Sequence, residues 1–186
     1  MSAKTRLRPL WVTLHWLMAL LVFVTFGIGL FSLVNQPNTD EKLIPLGIHM
    51  ALGILILLLV SARYVLRILV FSPPKRAAST PNPLAKKKPL LDQLSVYVHP
   101  LLYLFTFLMA LVGIAIALPA QLFATIFARS GSPLPADFYV YPARAWHGTL
   151  SLVLMVLIGQ HVLVAVFHQF MRRENFLGRM WFTKSK

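Results

Sequence analysis

The chain has 186 residues, of which 18 are Lys or Arg and 5 are Asp or Glu, so its formal net charge is +13. Hydrophobic residues make up 58% of it, and charged residues make up only 12%. This apolar share exceeds the roughly 45–50% of ordinary globular chains, and a nucleic-acid-binding protein would spread its cations over a polar surface. The composition therefore excludes disordered chains, soluble enzymes and nucleic-acid-binding proteins, and it indicates a protein of the lipid bilayer.

Four long apolar segments are predicted to cross the membrane as helices, since each has the roughly 20 residues that a bilayer core requires. They cover about residues 10–34, 43–71, 91–118 and 144–171. Pro119 should end the third helix near Leu118, and residues 121–128 should form a short helix at the membrane interface. The predicted fold class is an all-α, integral membrane four-helix bundle, and residues 1–186 form one domain.

The cations are distributed unevenly around these segments. Three lie in the N-terminal tail, seven around the end of the second segment and its loop, and five in the C-terminal tail, which places 15 of the 18 on one side of the membrane. The other side holds Lys42, Arg129 and Arg144. Because positively charged loops stay in the cytoplasm, both termini are predicted to be cytoplasmic.

Histidines are the residues available for redox or metal chemistry, because the chain has no cysteine. This absence excludes disulfides, iron–sulfur clusters on thiolates and covalent haem attachment at a Cys-x-x-Cys-His site. An ionisable side chain inside a membrane segment usually has a function. Six histidines lie in or at the edges of the four segments: His15, His49, His99, His147, His161 and His168.

The depths of these histidines suggest pairs. His49 and His147 lie near the outer ends of the second and fourth segments, and His15 lies near the inner end of the first. His161 follows His147 by 14 residues, which is about 21 Å along a helix and nearly the same face. The simplest pairing is His49 with His147 and His15 with His161. His168 competes with His161 for this last place, and spacing does not decide between them.

Two histidines of facing helices at one depth can bind a porphyrin iron from its two sides. Iron ligated in this way has no open position for oxygen and suits electron transfer. A zinc or copper site would need three or four ligands at one point, and the depths of His15 and His49 differ too much for that. The pattern therefore favours haem over a bare metal ion.

Further residues lie at the same depths. Arg63 and Arg67 lie toward the inner end of the second segment, where they would either pair with haem propionates or anchor the helix by snorkelling. His99 is expected at the inner start of the third helix, either behind a ligand or in contact with a quinone. Gly53, Gly148 and Gly159 would allow either close approach of a ring or ordinary helix–helix contact.

These residues together resemble the bacterial cytochrome b561 family, which is related to the cytochrome b subunits of membrane hydrogenases and formate dehydrogenases. The resemblance covers nearly the whole chain. The motifs that carry it are Leu14-His15-Trp16, Ile48-His49 with Gly53, Arg63 with Arg67, Pro73-Pro74, His99 with Tyr103, Trp146-His147, Gly159, His161, His168 and Leu177 to Met180.

The resemblance implies two b-type haems with His15, His49, His147 and His161 as axial ligands, and so favours His161 over His168. It also implies an electron carrier of the bacterial inner membrane that exchanges electrons with ubiquinone or another membrane quinone. One type of member is an oxidoreductase that oxidises superoxide at the outer face and reduces ubiquinone.

Two other functions remain open at this point. The chain could relay electrons for a partner dehydrogenase, or it could be a haem-free bundle whose histidines line a transport path. For superoxide, outer cations would help to attract the anion. The outer face is formally neutral, with Asp40, Glu41 and Asp137 balancing its three cations, although Lys42 and Arg144 could form a local positive funnel.

Overall fold

The computed structural model describes residues 3–71 and 90–173. Within these ranges the chain forms four long helices: α1 (Ala3–Gly27), α2 (Leu43–Phe71), α3 (Leu90–Ala117) and α4 (Pro142–Phe170). All four are long and apolar enough to cross a membrane, and no strand occurs in the described ranges. The predicted all-α bundle with four spanning helices is therefore confirmed, and the cytoplasmic placement of both termini stays a prediction.

Shorter elements complete the connections. α1 continues as a π-helix over Ile28–Leu33, and a second π-helix covers Phe123–Phe127 within the segment predicted as an interfacial helix. α3 ends at Ala117, next to the residue at which Pro119 was predicted to stop it. We call the end of the bundle with the α1–α2 and α3–α4 connections the outer end, after the predicted orientation, and the opposite end the inner end.

α1 begins seven residues before its predicted apolar segment, whereas α3 and α4 begin within two residues of theirs. α1 starts at Ala3 and contains Pro9, α3 starts at Leu90 and contains Pro100, and α4 starts at Pro142. The expectation that His99 begins the third helix is therefore wrong. An interior proline removes its own N–H from the hydrogen-bond ladder and crowds the carbonyl four residues earlier, but helical bonds on both sides keep α1 and α3 continuous. Proline is well suited to the first helical position, as in α4.

The helices pack in chain order, α1 on α2, α2 on α3 and α3 on α4. Large apolar side chains point away from the bundle on all sides, as shown by Phe31 at 75% exposure and Leu69 at 76%. An apolar surface of this extent is stable against hydrocarbon rather than water. The surface of the bundle is therefore suited to contact with lipid. Contact with lipid does not explain the polar side chains in its interior.

The outer end is closed by a network centred on a buried lysine. Lys42 is 7% exposed, and its Nζ donates to the carbonyl oxygen of Gln36 at 2.8 Å and to Oδ1 of Asn38 at 2.9 Å. The amide nitrogen of Asn38 donates in turn to the carbonyls of Pro135 and Ala136 at 2.9 and 3.0 Å. These bonds tie the α1–α2 connection to the α3–α4 connection above the outer half of the bundle.

Candidate functional site

The outer half of the bundle brings two histidine rings together. His49 lies in the second turn of α2, and His147 lies in the second turn of α4. Their ring centroids are 6.2 Å apart and the ring planes are inclined at 66°. Two side chains 98 positions apart in the sequence therefore face each other at one depth.

The inner half contains a second pair with the same separation. His15 of α1 and His161 of α4 have ring centroids 6.2 Å apart and ring planes inclined at 74°. The ring beside His15 is thus that of His161, the partner that spacing had left undecided. His168 is buried at 6% exposure and packs against the ring of Phe167.

Both separations suit an iron atom between two imidazole nitrogens. Two metal–nitrogen bonds of about 2 Å, with about a further ångström from each nitrogen to its ring centre, place the centroids about 6 Å apart. Among the described residues, no group of three or more His, Asp or Glu side chains is placed to hold a metal ion. Each pair therefore offers two imidazole nitrogens, which are too few to hold a bare metal ion, whereas a porphyrin would supply further nitrogen ligands.

The space beside the outer pair has the character that a macrocycle requires. A cavity of about 320 Å³ reaches both His49 and His147, and most of its lining is aliphatic or aromatic. Gly53, one turn after His49, lines this cavity, and a Cβ atom built on it would meet no other atom within 4 Å. The residues present thus fit a flat apolar ligand held by two histidines.

Backbone carbonyls set the orientation of the outer rings. Nδ1 of His49 donates a hydrogen bond of 3.0 Å to the carbonyl of Thr25 in α1. This bond places the ring proton on Nδ1 and leaves Nε2 free to bind a metal. Nδ1 of His147 is buried and faces the carbonyl of Met109 in α3, without a hydrogen bond of good geometry.

Two glycines contact the edges of the outer rings. A Cβ atom on Gly29 would lie 3.3 Å from Cε1 of His49, and one on Gly113 would lie 3.4 Å from Cε1 of His147. Gly29 belongs to the π-helix after α1, an irregularity that is frequent at functional sites. The sequence interpretation had instead selected Gly53, Gly148 and Gly159.

The three glycines selected from sequence make no such contact. A Cβ on Gly53 or Gly159 would meet nothing within 4 Å, and one on Gly148 would meet the Arg144 guanidinium at 3.5 Å. Sequence reasoning missed Gly29 and Gly113 because neither is near a histidine along the chain. The sequence signal that could have identified them was a glycine in the first and in the third membrane span, at the depth of the outer pair.

A buried arginine lies against the inner pair. Arg63 is 7% exposed, and its Nη1 donates to Nδ1 of His15 at 3.1 Å. The guanidinium also lies 4.5 Å from the ring centre of Trp11 and near Tyr103. Its Nε is buried and has no hydrogen-bond partner. Arg67, one turn further along α2, lies 5.7 Å from the centre of the same tyrosine ring.

His99 adds a third imidazole at the inner pair. Its ring centroid is 5.0 Å from that of His161, and its side chain is exposed on the bundle surface. Of the two tryptophans next to proposed ligands, Trp16 packs edge-on to His15 at 5.4 Å, whereas Trp146 is 64% exposed. The inner pair is therefore flanked by a third imidazole and by an indole ring.

Two cations line the outer cavity together with the histidines. They are Lys42 and Arg144, and the guanidinium of Arg144 lies 5.0 Å from the ring centre of Tyr139. Lys42 is bonded only to the neutral oxygens of the closing network. The outer cavity thus carries positive charge next to its histidine pair.

Comparison with known proteins gives a consistent match along the chain. A family model described as prokaryotic cytochrome b561 matches residues 6–183. The cytochrome b561 homolog 2 of Escherichia coli (strain K12) is 28% identical over 175 residues, which cover 89% of this chain and 86% of that protein. The probable superoxide oxidase CybB of Yersinia pestis is 27% identical over 180 residues, which cover 91% of this chain and 92% of that protein. The matched range contains all six histidines.

Proposed function

Because the chain belongs to the prokaryotic cytochrome b561 family, we propose that it is a dihaem cytochrome that moves electrons between a donor at the outer face of the bacterial inner membrane and the quinone pool. As a member of this family it is a multi-pass membrane protein that carries electrons on b-type haem. The number of haems, the particular membrane and the quinone belong to the proposal.

The observation that carries the proposal is the repetition of one histidine geometry at two depths. Both pairs have centroids 6.2 Å apart, and both use one ring from α4. The α4 rings are those of His147 and His161, 14 residues apart, so the two centres are separated by about 21 Å along the helix. Two centres at this spacing span a large part of a hydrocarbon core about 30 Å thick.

The chain's own residues hold and insulate the outer centre. His49 and His147 would bind iron through Nε2 from opposite sides, and the Thr25 carbonyl keeps the His49 ring in the required tautomer. The apolar lining would surround the macrocycle, and the closing network of Lys42 covers the outer end of this half of the bundle. When bound, haem supplies a one-electron redox couple.

The inner centre would be held by His15 and His161, with cations for the carboxylates of the cofactor. Arg63 is buried with its Nε unpartnered, and Arg67 lies one turn nearer the inner end. Arginine pairs with carboxylates through strong charge-assisted hydrogen bonds. We assign both arginines as contacts for haem propionates.

His99 is the proposed contact for a quinone. The side chain is exposed on the surface of the bundle. Its ring centroid lies 5.0 Å from that of the proposed ligand His161. A quinone diffusing in the bilayer could therefore approach the inner centre from this side, and the imidazole can hydrogen-bond to a quinone oxygen. Reduction to the quinol consumes two electrons and two protons.

A redox difference spectrum with haem quantification tests the function. The purified protein should show the sharp bands of reduced b-type haem after dithionite and contain two haems per chain. A relay subunit for a partner dehydrogenase would give the same spectrum but would show no exchange with a small donor without its partner. Absence of b-type bands would overturn the electron-transfer proposal in favour of a haem-free histidine-lined bundle.

Superoxide is our candidate for the small electron donor at the outer face. Lys42 and Arg144 line the cavity that reaches the outer histidines, and positive charge in a cleft concentrates an anion. The relative in Yersinia pestis is named a probable superoxide oxidase. Each superoxide would give up one electron and leave as O₂, so two superoxide anions would reduce one quinone.

We expect Arg144→Gln to slow haem reduction by superoxide about tenfold at low salt, because a steering charge beside the cavity accelerates association by factors of 10 or more. Arg129→Gln is the matched control, because Arg129 lines a different outer cavity. Stopped-flow reduction at several ionic strengths measures both. Equal rates in the two variants, or no reduction of the parent protein, would contradict the superoxide proposal and leave the electron carrier intact.

A further inference from the structure

The Nδ1 atoms of two proposed ligands, His49 and His15, lie next to different groups. His49 donates its Nδ1 proton to a neutral carbonyl, that of Thr25, at 3.0 Å. His15 instead receives a hydrogen bond from the permanent cation Arg63 at 3.1 Å. From this contrast, and resting on the dihaem function proposed above, we infer that Arg63 raises the reduction potential of the inner centre above that of the outer centre.

The hydrogen bond from His49 to the Thr25 carbonyl lowers the reduction potential of the outer centre. A ligating histidine that donates its other N–H to a carbonyl becomes a stronger base and gives more electron density to the metal. A better donor ligand stabilises the oxidised iron. The Thr25 carbonyl therefore favours the oxidised form of the outer centre.

The inner contact has the opposite effect. Reduction adds one negative charge to the centre, and a nearby cation in a medium of low dielectric constant stabilises that charge. Arg63 is buried, which limits screening by water. The acidic side chains that the structure describes, Asp40, Glu41 and Asp137, all lie in the outer connections. The anions that Arg63 would meet are the propionates of the cofactor, and a propionate paired with a guanidinium makes the centre less negative than an unpaired one.

Arg63 keeps this position for reasons other than its bond to His15. Coordination of His15 through Nε2 places the ring proton on Nδ1, so the guanidinium then needs another acceptor. A haem propionate, the contact proposed above, would accept from it, and the Trp11 ring lies 4.5 Å from its carbon atom. The charge therefore stays within the inner cluster.

The outer cations are placed differently. Arg144 is directed at the ring of Tyr139, and Lys42 donates to Gln36 and Asn38. Arg63, by contrast, has its Nη1 atom 3.1 Å from Nδ1 of a proposed ligand. An electron shared between the two centres would reside mainly on the inner one, which directs electrons from the outer face toward the quinone side.

Spectroelectrochemical titration of the holoprotein tests the inference. We expect two midpoint potentials in the parent protein. Arg63→Gln should lower the higher of the two by at least 59 mV. This shift equals a tenfold change in the ratio of reduced to oxidised haem at a fixed potential. Arg63→Lys should retain much of the potential because it keeps the charge. Arg144→Gln is the matched control and should leave the inner midpoint in place. Unchanged midpoints in Arg63→Gln with both haems bound would overturn the inference.

A second measurement assigns the midpoints without relying on haem retention by the Arg63 variants. The higher midpoint should disappear in His161→Ala and the lower one in His147→Ala. The reverse assignment would overturn the inference while leaving the dihaem function standing. A parent protein with fewer than two haems would instead contradict the proposed function itself.

Discussion

Alanine substitution of any one of the four paired histidines should remove one haem from the protein and leave the other bound. The iron at each depth has two proposed axial ligands, His49 with His147 and His15 with His161, with ring centroids 6.2 Å apart in both pairs. Removing one ring breaks one of these bonds and opens the site to water. Haem quantification and reduced-minus-oxidised spectra should show a fall from two haems per chain to one in each variant.

The remaining histidines provide the matched controls for this experiment. His168→Ala removes a buried imidazole that packs against Phe167, and His99→Ala removes one that lies beside His161. Both variants should keep two haems. Retention of both haems in His161→Ala, combined with loss of one in His168→Ala, would transfer the inner ligand role to His168. Loss of the same spectral component in His49→Ala and His161→Ala would contradict the proposed pairing.

Gly29→Val should weaken haem binding at the outer centre by roughly tenfold to a hundredfold. A Cβ on Gly29 would lie 3.3 Å from Cε1 of His49, so the larger side chain must displace the ring or the backbone of the π-helix. Overpacking of this kind costs about 1–3 kcal/mol, and each 1.4 kcal/mol is a factor of ten in affinity. Haem titration of the apoprotein, followed by absorbance, measures the change.

A neighbouring glycine distinguishes displacement of the ring from a general effect on α1. Gly27→Val places the same side chain two residues earlier, where a Cβ would meet nothing within 4 Å, and should leave haem affinity close to that of the parent. Gly113→Val should behave like Gly29→Val, because its Cβ would lie 3.4 Å from Cε1 of His147. Equal affinities in Gly27→Val and Gly29→Val would show that contact with His49 does not control this site.

The spanning helices and their order could be predicted because hydrophobic length and proline position are local properties. Pro119 correctly indicated the end of α3, which lies at Ala117. Pro100 does not interrupt α3, since a helix inside a bundle can continue through one missing N–H. The start of α1 upstream of its apolar segment was missed because polar residues can extend a helix beyond the bilayer core.

The depth of each histidine within its membrane span could be predicted from its position in the sequence. A helix rises 1.5 Å per residue, so the positions of His49, His147 and His161 along their segments already place them at two levels. The same arithmetic placed Arg63 near the inner pair, and its guanidinium touches His15 in the structure. Depth alone left His161 and His168 as rivals for the place beside His15. The helix face did not separate them either, because seven residues bring a helix back to nearly the same face.

By itself, the sequence determined that this chain is a four-helix membrane protein with histidines at two levels. Only the tertiary structure decided which groups touch those side chains: the Thr25 carbonyl on His49, the Arg63 guanidinium on His15, and Gly29 and Gly113 at the outer rings. The physical reason is that position along a helix follows from residue number, whereas rotation about the helix axis relative to its neighbours depends on packing. The reduction potential of each centre depends on those contacts and therefore on the packing.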